Sequence, residues 1–197
     1  MLREQSEGGD PSADWRARLA RSTERQYAAS VPASMPAAFV LQWTLEVAAT
    51  AGAYAALHHA WVVSPEGAGL TFTLHPQQLY PVAAQWRHHT VTPALLDDRV
   101  EAAHAAYLGP AGELARSYDP GVNLGTRTRL AMVDDVWAMA VARVRGGRPP
   151  RRESCCFIYV LPGVHECSGC PRLAPTGTAP TGTAPTGTAA TQPSPPT

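Results

Sequence analysis

All four cysteines of this chain lie within one stretch of sixteen residues, with the spacing C-C-x10-C-x2-C (Cys155, Cys156, Cys167 and Cys170). Disulfide frameworks usually spread their cysteines through small secreted chains, where they close long loops. The first twelve residues are polar and contain no apolar segment of the kind that a secretory signal needs. Thiols clustered in this way predict a metal site in a reducing compartment.

The two halves of the cysteine pattern favour different metals. Cys167 and Cys170 are separated by Ser168 and Gly169, and thiols at this spacing in a turn can reach one metal ion. Adjacent residues of an extended strand point to opposite faces, so Cys155 and Cys156 suit a single tetrahedral ion only if the chain bends there. Two sulfide-bridged irons tolerate such a pair better. The spacing therefore favours an iron–sulfur cluster and leaves structural zinc and a dithiol redox pair open.

Residues around the cysteines extend the pattern. They form the sequences Arg152-Glu153-Ser154-Cys155-Cys156, then Tyr159, Pro162-Gly163 and Cys167-Ser168-Gly169-Cys170-Pro171. This arrangement resembles the C-terminal motif of the FhuF-type ferric-siderophore reductases. The resemblance implies a 2Fe-2S cluster held by Cys155, Cys156, Cys167 and Cys170. It also implies an oxidoreductase that passes one electron to chelated Fe(III), with a ferric siderophore as substrate and a reductase or ferredoxin-type electron donor as partner.

Two further interpretations of the chain remain. A 2Fe-2S electron carrier or redox-sensing module would keep the cluster and bind no siderophore. A structural-zinc interaction protein would use the same four thiols for folding.

Charged residues beside the motif allow several roles. Arg151 and Arg152 either stabilise a reduced cluster, attract an anionic partner, or simply end an exposed loop. Ser154 is a candidate hydrogen-bond donor to a sulfur. The sequence also contains four adjacent pairs of candidate ligands or acids: His58-His59, His88-His89, Asp97-Asp98 and Asp134-Asp135. We interpret these pairs as surface or helix-end groups, because their spacing suits neither metal binding nor paired acid–base chemistry. His165 is expected to lie near the cluster without binding it.

Composition excludes several classes of protein. The 16 basic residues, all arginine, balance 16 acidic ones, and a net charge of zero argues against a protein that coats nucleic acid or an anionic membrane. The most apolar stretch, 37–63, is interrupted by Gln42, Thr44 and Glu46, which predicts a buried helix and no stable membrane insertion. We therefore expect a cytoplasmic protein. Motifs for dinucleotide binding, phosphate loops and serine or zinc hydrolysis are absent from the sequence.

The predicted fold is α+β and mainly α-helical, with a small β element and the cysteine motif at its C-terminal end. The predicted organisation is a flexible N-terminus (1–12), one domain (13–172) that contains the cluster motif (151–171), and a disordered tail (173–197). The tail carries three copies of Ala-Pro-Thr-Gly-Thr and has almost no apolar surface to bury.

Hydrophobic periodicity predicts the individual elements. The predicted helices cover 14–29, Pro36 through Tyr54, Thr92-Pro93 to a stop at Gly109-Pro110, a short stretch from there to Tyr118, and Leu130 to Val144. The predicted β elements are a hairpin over 61–74 and a strand over 157–160.

Overall fold

Four helices form most of the protein, in a computed structural model that describes residues 10, 12–65, 70–88, 90–91, 95–167 and 169–173. They are α1 (Ala13–Tyr27), α2 (Ser34–His58), α3 (Leu96–Ser117) and α4 (Thr126–Val144). Four short strands and one 3-10 helix complete the described elements, so the α+β and mainly helical prediction is confirmed. The predicted flexible N-terminus and tail fall almost entirely on residues outside those described.

Helix α2 lies at the centre and packs against α1, α3 and α4. Its sequence is rich in alanine and leucine around its whole circumference, so it is buried on several sides at once. Two buried tyrosines join the helices by hydrogen bonds. The hydroxyl of Tyr118, directly after α3, donates to the carbonyl of Ala37 on α2 at 3.1 Å. The hydroxyl of Tyr107 on α3 donates to the carbonyl of Val133 on α4 at 3.1 Å. The prediction of a central buried helix is confirmed.

The strands pair differently from the sequence prediction. Strand β1 (Trp61–Val62) pairs with β4 (Thr90–Val91), while β2 (Thr71–Leu74) pairs with β3 (Pro81–Gln85), so there are two antiparallel two-stranded sheets. The predicted hairpin over 61–74 is therefore wrong. Alternation of apolar residues identifies β2 as a strand but does not identify its partner, and β3 is exposed along most of its length and shows no alternation.

The β2–β3 hairpin is attached to the helices through Trp15. The indole N–H of Trp15 donates to the carbonyl of Leu79 in the hairpin turn at 2.8 Å. The indole also stacks on Trp43 of α2, with ring centroids 6.1 Å apart, and contacts Phe72 of β2. The hairpin is thus held against one side of α1 and α2.

Helix α3 continues through Gly109-Pro110, where the sequence pattern predicted that it stops. Proline inside a helix removes one hydrogen bond. Burial of Tyr107, Ala111 and Ala115 on one face of α3 offsets this loss, because these residues pack into the core on both sides of Pro110. The predicted helix start at Thr92-Pro93 lies outside the described residues, and α3 begins at Leu96.

The remaining helices agree with their predictions. Helix α1 buries Trp15 and Leu19, and α4 buries Val133 and Trp137 of its predicted apolar face. Helix α4 ends at Val144, with Arg145 between it and the Gly146-Gly147 pair. Within the described part of the chain, no helix combines the length and apolar character needed to cross a bilayer.

Two glycines with open space around the Cβ position allow a matched test of backbone conformation. Gly109 is exposed inside α3, whereas Gly121 has a φ of +68°. We expect Gly121→Ala to destabilise the protein by about 1 to 2 kcal/mol, because a Cβ disfavours positive φ. Gly109→Ala should change the stability by less, because the helix propensity that alanine adds is opposed by contact of its Cβ with the ring of Pro110. Thermal unfolding measures both changes, and an equal or larger loss for Gly109→Ala would contradict this expectation.

Candidate metal centre

The first two cysteines lie on an irregular segment. Phe157, directly after Cys156, has a φ of +63°, and a short 3-10 helix (Ile158–Val160) follows it. The predicted strand over 157–160 is therefore wrong: a β-rich sequence needs a pairing partner, and the ladders of the described strands include no such partner. The backbone N–H of Phe157 instead donates to the sulfur of Cys155 at 3.4 Å.

A turn then returns the chain towards the second pair of cysteines. The N–H of Val164 donates to the carbonyl of Leu161 at 3.1 Å, and Gly163 takes a φ of +72°, which confirms the turn predicted at Pro162-Gly163. At the second pair, the N–H of Cys170 donates to the carbonyl of Cys167 at 2.8 Å. This tight turn places both sulfurs of the C-x2-C half on one short loop.

Gly169 joins the two halves of the site. Its carbonyl accepts the backbone N–H of Arg152 at 2.8 Å. A Cβ at this position would lie 2.7 Å from the carbonyl oxygen of Pro150, a distance that real Cβ contacts do not reach. Glycine is therefore required here by the close approach of two backbone segments.

The four thiols are unpaired, and their charges act on one another. Cys156 and Cys170 are buried, and Cys155 and Cys167 are partly exposed. Burial raises the pKa of the Cys155 thiol, and the neighbouring Cys156 and Cys170 raise it further, although the N–H of Phe157 opposes them. Burial likewise raises the pKa of Cys167, against the opposing effect of Arg152. A metal ion that binds these cysteines as thiolates therefore has to displace the protons of the thiols.

Arg152 is buried beside these sulfurs, with only 5% of its surface exposed. Its guanidinium donates to the sulfur of Cys167 at 2.9 Å and to that of Cys156 at 3.5 Å, and its other terminal nitrogen donates to the side-chain oxygen of Gln42 at 2.9 Å. Burial lowers the pKa of Arg152, but the hydrogen bond and charge of Cys156 and the charge of Cys167 outweigh this and raise it. Of the roles that the sequence left open, an exposed loop end is therefore wrong for Arg152.

Arg151, the neighbouring arginine, differs from Arg152 in its surroundings. It is exposed, and its guanidinium donates to the carbonyl of Pro171 at 3.1 Å. The two adjacent arginines thus provide one buried and one exposed positive charge at the same end of the motif.

Asp135 of α4 anchors the segment that precedes Cys155. Its carboxylate accepts the backbone N–H of Glu153 at 2.9 Å, the backbone N–H of Ser154 at 2.7 Å and the hydroxyl of Ser154 at 2.6 Å. The interpretation of Asp134-Asp135 as a solvated face is wrong for Asp135, which is buried, and holds for the exposed Asp134. The hydroxyl of Ser154 donates to Asp135, so the expectation that it donates to a sulfur is wrong.

Sequence reasoning missed Asp135 and Gln42 as parts of the site. Gln42 was recognisable as a polar interruption of an apolar central helix, and that interruption is the signal for a buried partner. No pattern in the sequence distinguished Asp135 from Asp134.

The histidine candidates lie away from the thiols or on the surface. His58 and His59 are exposed at the C-terminal end of α2, and His88 is exposed, whereas His89 is outside the described residues. His165 is exposed on the loop before Cys167 and makes no contact with a sulfur among the hydrogen bonds of the described residues. The structure therefore leaves the thiols as the candidate donor set.

The residues present fit a 2Fe-2S cluster. A two-iron cluster distributes its four thiolates over two irons and tunes them by hydrogen bonds to sulfur. Four free thiols supply that donor set, and Arg152 supplies N–H donors, one of which, Nε, has no partner among the described residues.

The role of Asp135 can be tested against its neighbour. Asp135→Asn replaces one accepting oxygen by a donor that faces N–H groups, so we expect a loss of about 2 to 3 kcal/mol in unfolding free energy. We also expect a lower content of iron and labile sulfide, because the segment before Cys155 loses its anchor. Asp134→Asn is the control and should change neither quantity. Equal iron content in the two variants would show that Asp135 does not position the cysteines.

Comparison with known proteins agrees with the site. Residues 152–172 match the family model described as the FhuF 2Fe-2S C-terminal domain. Searches of curated proteins and of solved structures found no match to this chain. The matched range contains all four cysteines, Arg152, Ser154 and Gly169, and the assignment of the four cysteines as the ligands stays a prediction. Residues 152–172 are thus similar to the FhuF 2Fe-2S C-terminal domain, and the cofactor that this match indicates is a 2Fe-2S cluster.

Proposed function

We propose that this protein is a ferric-siderophore reductase. When bound, the cluster supplies one electron, by which Fe(III) in a chelate becomes Fe(II), and a ferredoxin-type or reductase donor replaces that electron. Hard oxygen donors hold Fe(II) far less well than Fe(III), so reduction releases the metal from the siderophore. The proposal rests on the FhuF-type match at residues 152–172 together with the surroundings of the four thiols.

The observation that carries the proposal is the uneven exposure of these thiols. Cys156 and Cys170 are buried against the protein, whereas Cys155 and Cys167 are partly exposed. A site with one open side can exchange an electron with a molecule at the surface, while its buried side is held by the protein. Four unpaired thiols also support a reducing compartment, and we propose the cytoplasm as the place of action.

Arg152 contributes a fixed positive charge to the buried side. Its guanidinium lies against two of the sulfurs and is oriented by Gln42 of α2. A positive charge at this distance favours the more negative, reduced state of the thiolate site. Gln42 acts through Arg152 and is a positioning residue.

The charge of Arg152 can be tested by the reduction potential. Arg152→Gln should destabilise the reduced state by about 1 to 2 kcal/mol. For one electron this lowers the midpoint potential by an amount on the order of 40 to 90 mV. Arg151→Gln removes an equal charge from the exposed neighbour and should shift the potential by less, because solvent screens it. Potentiometric titration followed by electron paramagnetic resonance measures both, and equal shifts would contradict a special role for the buried arginine.

Reductase activity is tested with anaerobically purified holoprotein that has been chemically reduced. We expect iron(III) ferrichrome to reoxidise the reduced protein with formation of one Fe(II) per cluster, measured with a ferrous-iron chelator during rapid mixing. A Cys156→Ser variant, which we expect to lose the cluster, is the control and should form no Fe(II) under the same conditions.

The same experiment separates the proposal from its alternatives. Reoxidation by ferrichrome no faster than by ferric citrate or another unrelated one-electron acceptor would contradict the reductase and support an electron carrier. Zinc in place of iron and sulfide in the purified protein would contradict both.

A further inference from the structure

Charge is distributed unevenly along this chain, although the total is zero. Residues 143–172 contain six arginines and two acidic residues, whereas residues 1–142 contain ten arginines and fourteen acidic residues. The segment that carries the four thiols therefore has a net charge of +4, and the preceding part of the chain has a net charge of −4. An asymmetry of this size attracts and orients charged partners even where the net charge is zero.

The arginines around the thiols differ in what their charges face. Arg152 is buried against two sulfurs, and Arg143 forms an ion pair with a glutamate of α2. Arg145, Arg148 and Arg151 are exposed and form no ion pair among the described residues. Their charges are therefore available to a partner in solution.

Arg172 belongs to the same surface as Arg151. The guanidinium of Arg151 donates to the carbonyl of Pro171, directly before Arg172, at 3.1 Å. The guanidinium carbon of Arg172 lies 4.2 Å from the ring centroid of Tyr159. The ion pair of Arg172 with Glu166 is long, at 3.9 Å, and solvent-exposed. Such a pair contributes little free energy, so Arg172 remains able to bind an acidic group of a partner.

Two exposed apolar side chains accompany these charges. Val160 is 40% exposed and Leu173 41%. They directly follow Tyr159 and Arg172, whose contact joins the two backbone segments beside the cysteines. The N–H of Leu173 also donates to the carbonyl of Cys170 at 3.2 Å. A small apolar area with charged residues at its rim is the usual composition of a protein interface.

The placement of the positive charges favours an extended acidic face over a small anion. A small anion needs several donors that converge on one point. Pro149-Pro150 separates Arg148 from Arg151 and restricts the backbone, so the two side chains leave the chain at separate, fixed points. Arg151 and Arg172 already use donors on Pro171 and on the hydroxyl of Tyr159. Charges spread in this way match a protein that carries several carboxylates.

The partly exposed thiols, Cys155 and Cys167, belong to the same segment as these arginines. A bound cluster brings further negative charge through its thiolates, and this charge alone would repel an acidic partner. The exposed arginines oppose that repulsion. An acidic carrier can therefore approach the open side of the site closely enough to exchange an electron.

We propose that the surface formed by Arg148, Arg151, Arg172, Val160 and Leu173 binds a small acidic protein that carries one electron, an inference that rests on the function proposed above. One electron passes from the carrier, which is oxidised, to the metal centre, which is reduced, and no bond or proton is exchanged. Charge attraction speeds the encounter, and the apolar contact orients the carrier.

Flavodoxin is the probe for this surface, because it is small and acidic. Its anionic FMN hydroquinone gives up one electron and becomes a neutral semiquinone, whose absorbance in the red is distinct from that of 2Fe-2S proteins. Anaerobic rapid mixing with the oxidised holoprotein measures the second-order rate constant of transfer, and calorimetry with oxidised flavodoxin measures binding alone. We expect the rate constant to fall about tenfold or more between roughly 50 and 500 mM NaCl, and binding to weaken, because salt screens exposed charges.

Variants of the surface should act in the same direction as salt. The double variant Arg151→Gln/Arg172→Gln should lower the rate constant and weaken flavodoxin binding by about tenfold, and Arg148→Glu by about five- to tenfold, because charges at the rim of an interface speed association. Leu173→Ser should weaken binding by about threefold, through lost apolar contact.

Matched variants control for general damage to the protein. Arg127→Gln removes an exposed charge from the first turn of α4, about 25 Å along the helix axis from its C-terminal end. Leu108→Ser removes an exposed apolar side chain from α3. Neither should change binding or transfer. Reduced methyl viologen, a cationic one-electron donor, should reduce every variant at least as fast as the parent, and the electron paramagnetic resonance spectrum of the cluster should stay unchanged.

The outcomes distinguish this inference from the proposed function. No binding of flavodoxin at low salt, or equal rate constants for Arg148→Glu, Arg151→Gln/Arg172→Gln and Arg127→Gln, would overturn the docking surface even if the protein reduces ferrichrome. An equal loss of rate with methyl viologen would also overturn it, because the arginines would then act on the metal centre. Salt-dependent transfer that the surface variants slow, together with failure to form Fe(II) from ferrichrome, would support the docking surface and overturn the reductase.

Discussion

The arrangement of the metal centre depends on one buried arginine. Moving a guanidinium out of water is costly unless its charge and its N–H groups find partners, and Arg152 finds them in two cysteine sulfurs and the side chain of Gln42. These partners come from the central helix and from both halves of the cysteine motif. The C-terminal segment and α2 are thus bound to each other through a group that neither could bury alone.

A second anchor compensates for the absence of regular structure around the cysteines. The described residues from Gly147 to Leu173 form one 3-10 helix and short turns but no α-helix or strand, so few backbone hydrogen bonds hold this segment to itself. Asp135 supplies three acceptor contacts from α4, and the backbone bond between Arg152 and Gly169 closes the loop. A rigid helical pair therefore positions an irregular segment, in the way that a packed scaffold supports a functional loop.

The chemistry of the site could be predicted from the sequence more completely than its architecture. Thiol spacing identified Cys155 and Cys170 as ends of one motif, because metal ligands close together in sequence need little help from the fold. Burial of Arg152 was not predictable, since arginine is usually exposed and its partner Gln42 lies 110 residues earlier in the chain. The choice between Asp134 and Asp135 likewise depended on how α4 is rotated against the cysteine segment.

The same difference applies to the helices and strands, because some depend on their own residues and others on distant ones. Helices with a strong apolar period, such as α2 and α4, were predicted because their pattern is contained in their own residues. The partner of β2 and the continuation of α3 through Pro110 were mispredicted, because cross-strand pairing and core burial are decided by distant residues. Residues 157–160 have high β propensity, and without a partner strand they form a 3-10 turn instead.

Helix α2 contributes residues both to the metal centre and to a cavity, and this limits how the length of the helix can change. Gln42 binds Arg152, and Thr50, just over two helical turns further along α2, lines a cavity of about 520 Å³ between α2, β3 and the C-terminal part of α4. One residue inserted between these positions would rotate everything beyond it by about 100° and turn Thr50 and Tyr54 away from the cavity, while Gln42 kept its contact. The turn of the β2–β3 hairpin carries no such phase relationship. Variation in length is therefore far easier to accommodate at the hairpin wall of the cavity than in its helical floor.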